Sequence, residues 1–211
     1  IKKGFDARKA DDRWEMPYLP VDPQDIGCSY EAVIRVNSQS GKSGRAWLIE
    51  QNHGLKLPRA LQQDFSQHVQ RETDAHGKEM TQNALWHLFR EYYGLTAQPP
   101  MALVNYKSES RQDGQLHLQA TLSIQGVDRK LEGHGNGLLS AAAGALSALL
   151  KQPFSIKDYH EHTLGERSDS RSVAYIQCLF PDGTGHWGVG IDNDVARASL
   201  QALLNALSHP R

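Results

Sequence analysis

The sequence predicts an α+β fold in which a small helical accessory subdomain precedes a duplicated βββα domain. Two similar segments support this prediction. Gly133-His134-Gly135-Asn136-Gly137 and Trp187-Gly188-Val189-Gly190-Ile191 each lead into an alanine- and leucine-rich run, which favours helix. Strand-like runs stand ahead of each segment, and they follow one another instead of alternating with helices. This order is typical of antiparallel sheet, and its recurrence indicates an internal duplication.

The strands are predicted from β-branched and aromatic runs that turn residues separate. Six such runs occur, at 101–110, 115–125, 127–132, 154–164, 172–180 and 184–189. The turns are marked by segments that each end in one glycine, at 112–114, 125–126 and 181–183. The sequence therefore predicts one domain over 101–211, built from a first repeat at 101–150 and a second at 153–208.

The glycine-rich segment at 133–137 is predicted to be a tight turn into a helix. Glycine permits either a positive φ or the close approach of another group, and Asn136 is a suitable N-cap. Small residues follow along the predicted helix: Ser140, Ala141, Ala143, Gly144 and Ala148. They leave little side chain between this helix and its neighbour, so a sheet or a second copy of the chain is expected to pack closely here.

Residues 54–95 carry the signals of a helical accessory subdomain. Pro58 suits a first helical turn, and Leu61, Phe65 and Val69 form an apolar stripe. Thr81 is predicted to cap a second helix, which carries Leu85, Trp86, Phe89 and Tyr92 and ends at Gly94. Residues 96–100 then form the linker into the duplicated domain.

Residues 1–53 are predicted to be an extended arm and a first accessory subdomain. Pro17, Pro20 and Pro23 exclude a regular helix over this part of the arm. Its aromatic residues, Trp14 and Tyr18, suit either an arm over a neighbour or a connector that covers the edge of a core. Further on, Ser40-Gly41-Lys42-Ser43 resembles the end of a phosphate loop, but position 36 is valine where that loop requires glycine. A polar loop before a helix at 45–51 is the better interpretation.

Composition excludes several classes of function. A formal net charge of -1 gives no support for nucleic-acid binding, and no apolar run is long enough to span a membrane. The two cysteines, Cys28 and Cys178, have no metal-ligand spacing, which favours a reducing, cytoplasmic location. The chain begins Ile1-Lys2-Lys3-Gly4-Phe5 without methionine, so we expect a fragment of a longer protein.

Catalytic signals are few. In His160-Glu161-His162, strand alternation places both imidazoles on one side and the carboxylate on the other. A metal site would need further ligands, and none stands at a recognisable offset, so we expect a structural role or a place at the edge of a ligand site. No metal site is expected in this chain. The residues by themselves indicate a ligand-binding or dimerising α+β domain.

Several motifs nevertheless resemble one family over nearly the whole chain. The matching pieces are Pro17-Tyr18-Leu19-Pro20-Val21-Asp22-Pro23, residues 29–42 and 54–59, Gly133-x-Gly135-Asn136-Gly137, Asp158-Tyr159-His160-Glu161-His162, Ala174-Tyr175 and Trp187-Gly188-Val189-Gly190-Ile191. These resemble the C-terminal part of 2-isopropylmalate synthase of the long, leucine-regulated type. The run at 29–42 is the most specific of them.

The resemblance implies an enzyme that condenses acetyl-CoA with 2-oxoisovalerate in a (β/α)8 barrel containing a divalent metal. That barrel is expected to be absent from this chain. The chain would then consist of the accessory region and a leucine-binding, dimerising regulatory domain at 101–211. The family analogy makes Tyr18 an accessory catalytic residue that acts on the partner subunit. It also implies leucine near the Gly-Asn-Gly turn at the interface of a homodimer.

A leucine site has three chemical requirements. The carboxylate of leucine suits the backbone amides of a glycine turn or a helix N-terminus. The candidates here are Gly135, Asn136, Gly137 and Ser140. The ammonium suits Asp158 or Glu161, and the isobutyl group needs an apolar wall from Leu139, Ile156, Tyr159 and Ile191. Thr163 stands where the family commonly has a small apolar residue, so it belongs to the expected pocket.

The chain departs from the family pattern at Cys28, Ser43, Leu138 and Thr163. Two alternatives therefore stay open: a regulatory domain of citramalate synthase with isoleucine as effector, and a stand-alone amino-acid-binding dimerisation module.

Overall fold

A computed structural model describes residues 21, 23–27, 42–76, 80–112, 114–165 and 170–208. Within these residues the chain forms five α-helices, six strands and a short 3-10 helix at Pro23–Ile26. The helices are α1 (Lys42–His53), α2 (Arg59–His76), α3 (Gln82–Tyr92), α4 (Leu138–Leu150) and α5 (Val195–Leu207). The strands are β1 (Met101–Ser110), β2 (Leu116–Ile124), β3 (Val127–Gly135), β4 (Ser155–Leu164), β5 (Arg171–Leu179) and β6 (Gly185–Asp192).

The strands form two antiparallel sheets of three, ordered β1-β2-β3 and β4-β5-β6. Each sheet is followed by its helix, so β1–β3 with α4 make a first unit and β4–β6 with α5 a second. The first strand of both units has a register shift near its start, between Leu103 and Asn105 and between Ile156 and Asp158. The predicted α+β class and the βββα duplication are confirmed.

Glycines in β3 and β6 let the helices contact the strand backbone. A Cβ added to Gly133 would overlap the carbonyl oxygen of Ala141 in α4, and one added to Gly190 would overlap that of Ala198 in α5. Gly133 and Gly135 lie in β3 rather than in a turn, and neither has a positive φ. The glycines are therefore needed for close packing, and the close neighbour of α4 is its own sheet.

One hydrophobic core joins both units. Its fully or almost fully buried aliphatic members include Leu118, Leu122, Leu146, Ile176 and Leu203. The units are also joined at the register shift in β1, because side chains of α5 form hydrogen bonds with the strand backbone there. The amide of Leu103 donates to Gln201 over 3.0 Å, and its carbonyl accepts from Arg197 over 2.8 Å.

A second core forms on the other face of the second sheet, under α1–α3. Strand alternation directs four side chains, those of Val173, Tyr175, Trp187 and Val189, away from α5 and towards the accessory helices. There they pack with buried aromatic residues such as Phe65, Phe89 and Tyr93. The backbone is tied as well, since the amide of Val189 donates to the carbonyl of Tyr93 over 3.1 Å. Helix α1, at the end of the first predicted accessory subdomain, shares this core with α2 and α3 of the second, and the boundary at 53/54 stays a prediction.

The helix signals of the accessory region are confirmed. Leu61, Phe65 and Val69 are buried along one face of α2. Thr81 caps α3 by accepting a hydrogen bond from the amide of Ala84 over 3.2 Å, and Gly94 follows the helix with a φ of 83°. The helix predicted at 45–51 is longer, because α1 already begins at Lys42, inside the segment interpreted as a loop.

Among the helices that the structure describes, none combines the length and the apolar character needed to cross a membrane.

The glycine contacts predict a sharp difference between two alanine substitutions. In Gly190→Ala the new Cβ would overlap Ala198 and lie 2.7 Å from the amide nitrogen of Ala202. Because the obstacle is backbone, we expect a loss of about 1–3 kcal/mol in the free energy of unfolding, measured by urea denaturation. Gly44→Ala in α1 meets no atom within 4 Å, so we expect no loss and a gain of up to ~1 kcal/mol. Equal effects at the two positions would contradict the packing role.

Candidate effector site

A cleft of about 340 Å³ lies between the two units, where the N-termini of α4 and α5 face the outer strand β4. We call it the α4–α5 cleft. It is lined by Gly137, Leu138, Leu139 and Ser140 of α4, by Tyr159 and Glu161 of β4, and by Val195, Ala196 and Ser199 of α5. This volume lies at the small end of the range for ligand pockets.

The N-terminus of α4 carries no side-chain cap. Its N-cap residue is Gly137, in extended conformation with a φ of −169°, and no side-chain hydrogen bond caps the helix. Asn136 was expected to be the cap, but the helix begins at Leu138, so Asn136 stands one residue too early. The first amides of α4 and the positive end of the helix dipole therefore face the cleft, an arrangement that suits an anion.

Tyr159 connects the two walls of the cleft. Its hydroxyl donates to the carboxylate of Glu161 and lies 3.0 Å from the hydroxyl of Ser199. Burial, followed by the hydrogen bond to Glu161, raises the pKa of Tyr159 above its ordinary value. The phenol is therefore neutral at physiological pH, and it is held at the mouth of the cleft as a hydrogen-bond donor.

The duplication supplies an internal counterpart of this arrangement. Tyr106 follows the irregularity in β1 as Tyr159 follows the one in β4. The hydroxyl of Tyr106 donates to Asp194 over 2.5 Å, and Asp194 caps α5 by accepting from the amide of Ala196 over 2.9 Å. The tyrosine of the first unit thus holds a carboxylate at the helix N-terminus of the second. The tyrosine of the second unit faces the helix N-terminus of the first, where Gly137 provides no carboxylate.

Five of the predicted effector residues line the cleft: Gly137, Leu139, Ser140, Tyr159 and Glu161. The others are placed elsewhere. Gly135 packs against the backbone of α4, and Ile156 packs against the shared core. The structure places Ile191 on the opposite face of the sheet, in contact with the accessory core.

Three further predicted residues do not line the cleft. Asn136 is exposed before the N-cap, and Thr163 is exposed towards the end of β4. Asp158 lies on the face of β4 opposite Tyr159, where one of its carboxylate oxygens is 2.9 Å from Nε2 of His160. Tyr18 lies outside the described residues, so its role stays a prediction.

Four lining residues were missed: Leu138, Val195, Ala196 and Ser199. Three of them belong to α5. The repeat itself was the available signal, because the cleft is formed by the equivalent N-termini of the two repeated helices.

The histidines of His160-Glu161-His162 point to the face opposite Glu161, as strand alternation predicted. His162 accepts from the amide of Lys56 and contacts the hydroxyl of Tyr175, both over 3.1 Å. Burial lowers its pKa. His162 therefore joins β4 to the accessory region, which agrees with the structural interpretation.

Comparison with known proteins identifies the family. The profile described as "LeuA allosteric (dimerisation) domain" matches residues 79–209. The chain belongs to this LeuA dimerisation-domain family. A second profile, "Alpha-isopropylmalate synthase, post-catalytic domain-like", matches residues 1–50 of the same LeuA-family chain.

Relatives of this LeuA-family chain carry the name 2-isopropylmalate synthase. The one from Marinomonas sp. is 50% identical over 214 residues, covering 100% of this chain and 38% of the relative. Those from Rhodospirillum rubrum and Thermobifida fusca are 45% and 40% identical, each covering 99% of this chain and 38% of the relative. The chain thus spans little more than a third of the length of these relatives. The resemblance to the C-terminal part of that family is confirmed.

The pairing of Tyr106 with Asp194 predicts a pH effect. Burial and this hydrogen bond raise the pKa of Tyr106 to about 12, and the same bond is the largest cause of the lowered pKa of Asp194. The Asp194 carboxylate therefore stabilises the fold above the pKa it has in the unfolded chain, and this contribution is lost as pH falls through its lower folded value. In Tyr106→Phe we expect the pKa of Asp194 to rise towards its ordinary value, as measured by carboxyl NMR titration. Tyr159→Phe is the control and should leave it unchanged; an unchanged pKa in Tyr106→Phe would contradict the assignment.

Proposed function

We propose that this chain is the regulatory part of a 2-isopropylmalate synthase and that the α4–α5 cleft binds leucine for feedback inhibition. The observation that carries the proposal is the uncapped N-terminus of α4 opposite Tyr159. The equivalent place in the second unit holds the carboxylate of Asp194 between a tyrosine hydroxyl and a helix amide. A free amino acid would complete the first unit in the same way.

Each group of leucine has a chemically suitable counterpart in the cleft. The carboxylate would accept hydrogen bonds from the first amides of α4 and from the Tyr159 hydroxyl. The ammonium would pair with Glu161. For this, Tyr159 would give up its hydrogen bond to Glu161 and turn its hydroxyl towards the ligand. The isobutyl group would contact Leu138, Leu139 and Val195, which line the cleft and are partly or largely exposed.

The whole enzyme is proposed to condense acetyl-CoA with 2-oxoisovalerate in the cytoplasm, in the step that commits carbon to leucine. Its divalent metal and catalytic barrel would belong to the part of the protein that the relatives have beyond this chain. No residue of this chain is proposed to hold that metal. Tyr18 is proposed to act on the active site of the partner subunit.

The homodimer is proposed to form through the outer face of α4. Helix α4 has no charged residue over its thirteen positions, although Ser140, Gly144 and Ala148 are exposed along one side of it. An exposed helix face without charge is typical of a protein interface. Because α4 also begins at the cleft, a partner on this face would lie beside the bound effector.

Leucine is predicted to stabilise the chain, and Gly137→Asp is predicted to abolish the effect. A ligand that binds only the folded state at about 100 times its Kd adds roughly 2.7 kcal/mol, which raises the melting temperature. A Cβ at Gly137 meets no atom within 4 Å, so aspartate would cap α4 and occupy the place proposed for the leucine carboxylate. We expect calorimetry to show a folded variant with no shift on adding leucine.

The matched control is Gly137→Ala, which adds the Cβ without the carboxylate and should keep most of the shift. Isoleucine is the competing ligand. Moving one methyl group in an apolar pocket changes binding by only about 1–3 kcal/mol, so a larger shift with isoleucine would favour the citramalate synthase alternative. A full leucine shift in Gly137→Asp would place the effector elsewhere.

The dimer is predicted to depend on close approach to α4. In Gly144→Glu the new side chain meets no atom of the same chain within 4 Å, but it would separate two copies packed through this face. We expect analytical ultracentrifugation to show a dimer for the unsubstituted chain at micromolar concentration and a monomer for Gly144→Glu. Gly44→Glu places the same charge on an equally open helical glycine of α1 and should stay dimeric. A dimeric Gly144→Glu would contradict the proposed face.

A further inference from the structure

The two units differ most on the outer faces of their sheets. The outer face of the second sheet is covered by α1–α3, whereas that of the first is open and polar. The strand pairing relates the two faces position by position, because Leu118 pairs with Gly133 as Ala174 pairs with Gly190. The outward positions of the second sheet hold Val173, Val189 and Ile191, and the equivalent positions of the first hold His117, Glu132 and His134.

These three side chains of the first sheet form a compact group. His117 and His134 are directly paired across β2 and β3, and their rings stack with centroids 4.5 Å apart and planes at 7°. Nε2 of His117 lies 2.6 Å from a carboxylate oxygen of Glu132. One ligand atom of each residue lies within 4.8 Å of the others. Only 11% of the His117 side chain is exposed, although this face of the sheet is open.

We propose that His117, Glu132 and His134 bind a divalent transition-metal ion of the zinc class. Two imidazole nitrogens and one carboxylate oxygen are the ligand set of many three-ligand zinc sites, which leave a fourth position open. The stacked rings would separate by small side-chain rotations to the spacing of a tetrahedral ion. Hard cations such as Mg²⁺ prefer an all-oxygen set, so this site selects against them.

The fourth position has a candidate on the neighbouring strand. Glu109 of β1 pairs in register with His117, so the three strands bring Glu109, His117 and His134 into one row. Glu109 forms an ion pair with Lys107 and is exposed. It would have to leave Lys107 to reach the metal; otherwise water fills the position. In either case the ion would link β2 to β3 at the rim of a polar concavity of about 600 Å³, to which Glu132 belongs.

The site is tested by titrating the 211-residue chain, freed of metal with a chelator, with Zn²⁺ and with Mg²⁺ in a calorimeter. We expect saturable binding of one Zn²⁺ at micromolar concentration, a rise in melting temperature and no binding of Mg²⁺. Imidazole binds metals only in its neutral form, so binding should release protons and weaken on acidification. Absence of zinc binding would overturn the proposal.

Substitutions locate the ion. His134→Gln and Glu132→Gln change exposed residues, and each should weaken Zn²⁺ binding by at least about tenfold. His160→Gln is the matched control, because His160 is also an exposed strand histidine beside a carboxylate, with Asp158 2.9 Å away; its affinity should not change. Zinc-induced shifts of the His117 and His134 ring signals in NMR spectra of the unsubstituted chain test the site without any variant. Unchanged affinity in His117→Gln/His134→Gln, or ring signals that do not move, would place the ion elsewhere.

Discussion

The structure of the duplicated domain depends on backbone contact between each helix and its sheet. Gly133 in β3, with Gly188 and Gly190 in β6, provides room for the helix backbone at places where a Cβ would overlap it. Alanines such as Ala141 and Ala198 keep the facing helix surface equally thin. Because protein interiors are close-packed, this contact fixes the distance of each helix from its sheet and its direction across the sheet. It thereby also fixes the helix N-termini that form the α4–α5 cleft.

The two units of the duplication have the same architecture, but they differ at the N-terminus of the helix and on the outer face of the sheet. In the second unit, Asp194 caps α5 and the accessory helices cover the outer face of the sheet. The first unit is open at both places, with glycine as the N-cap of α4 and a polar outer face that carries His117 and Glu132. The two proposed ligand sites, for an amino acid and for a metal ion, lie where the first unit lacks what the second contains.

The second sheet connects the cleft to the accessory region. Helix α5 contributes Ser199 to the cleft and buries Asn205 further along the helix. The Asn205 side chain donates to the carbonyl of Val189 over 2.7 Å, and the amide of Val189 donates to Tyr93. Gly94 packs directly against Asn205. Helix α5, which lines the α4–α5 cleft, is therefore in contact, through hydrogen-bonded and buried groups, with the helices that precede the domain.

Local sequence determined the secondary structure, because its causes lie within a few residues. Strand-like runs bounded by turn residues located the strands to within a few residues of their ends, and Thr81 marked the start of α3 correctly. The family motifs led to Tyr159, Glu161 and Gly137, three residues that line the cleft.

Tertiary structure decided what depends on partners distant in the chain. Gly133 is compatible with a turn or with close packing until α4 is placed on β3. Ile191 changes from a pocket wall to a core residue because strand register assigns it to the other face. His117 and His134 are seventeen residues apart, and only the β2–β3 pairing makes them neighbours. Spacing along the chain carries no information on such pairs, since the register that joins them is set by the packing of whole sheets and helices.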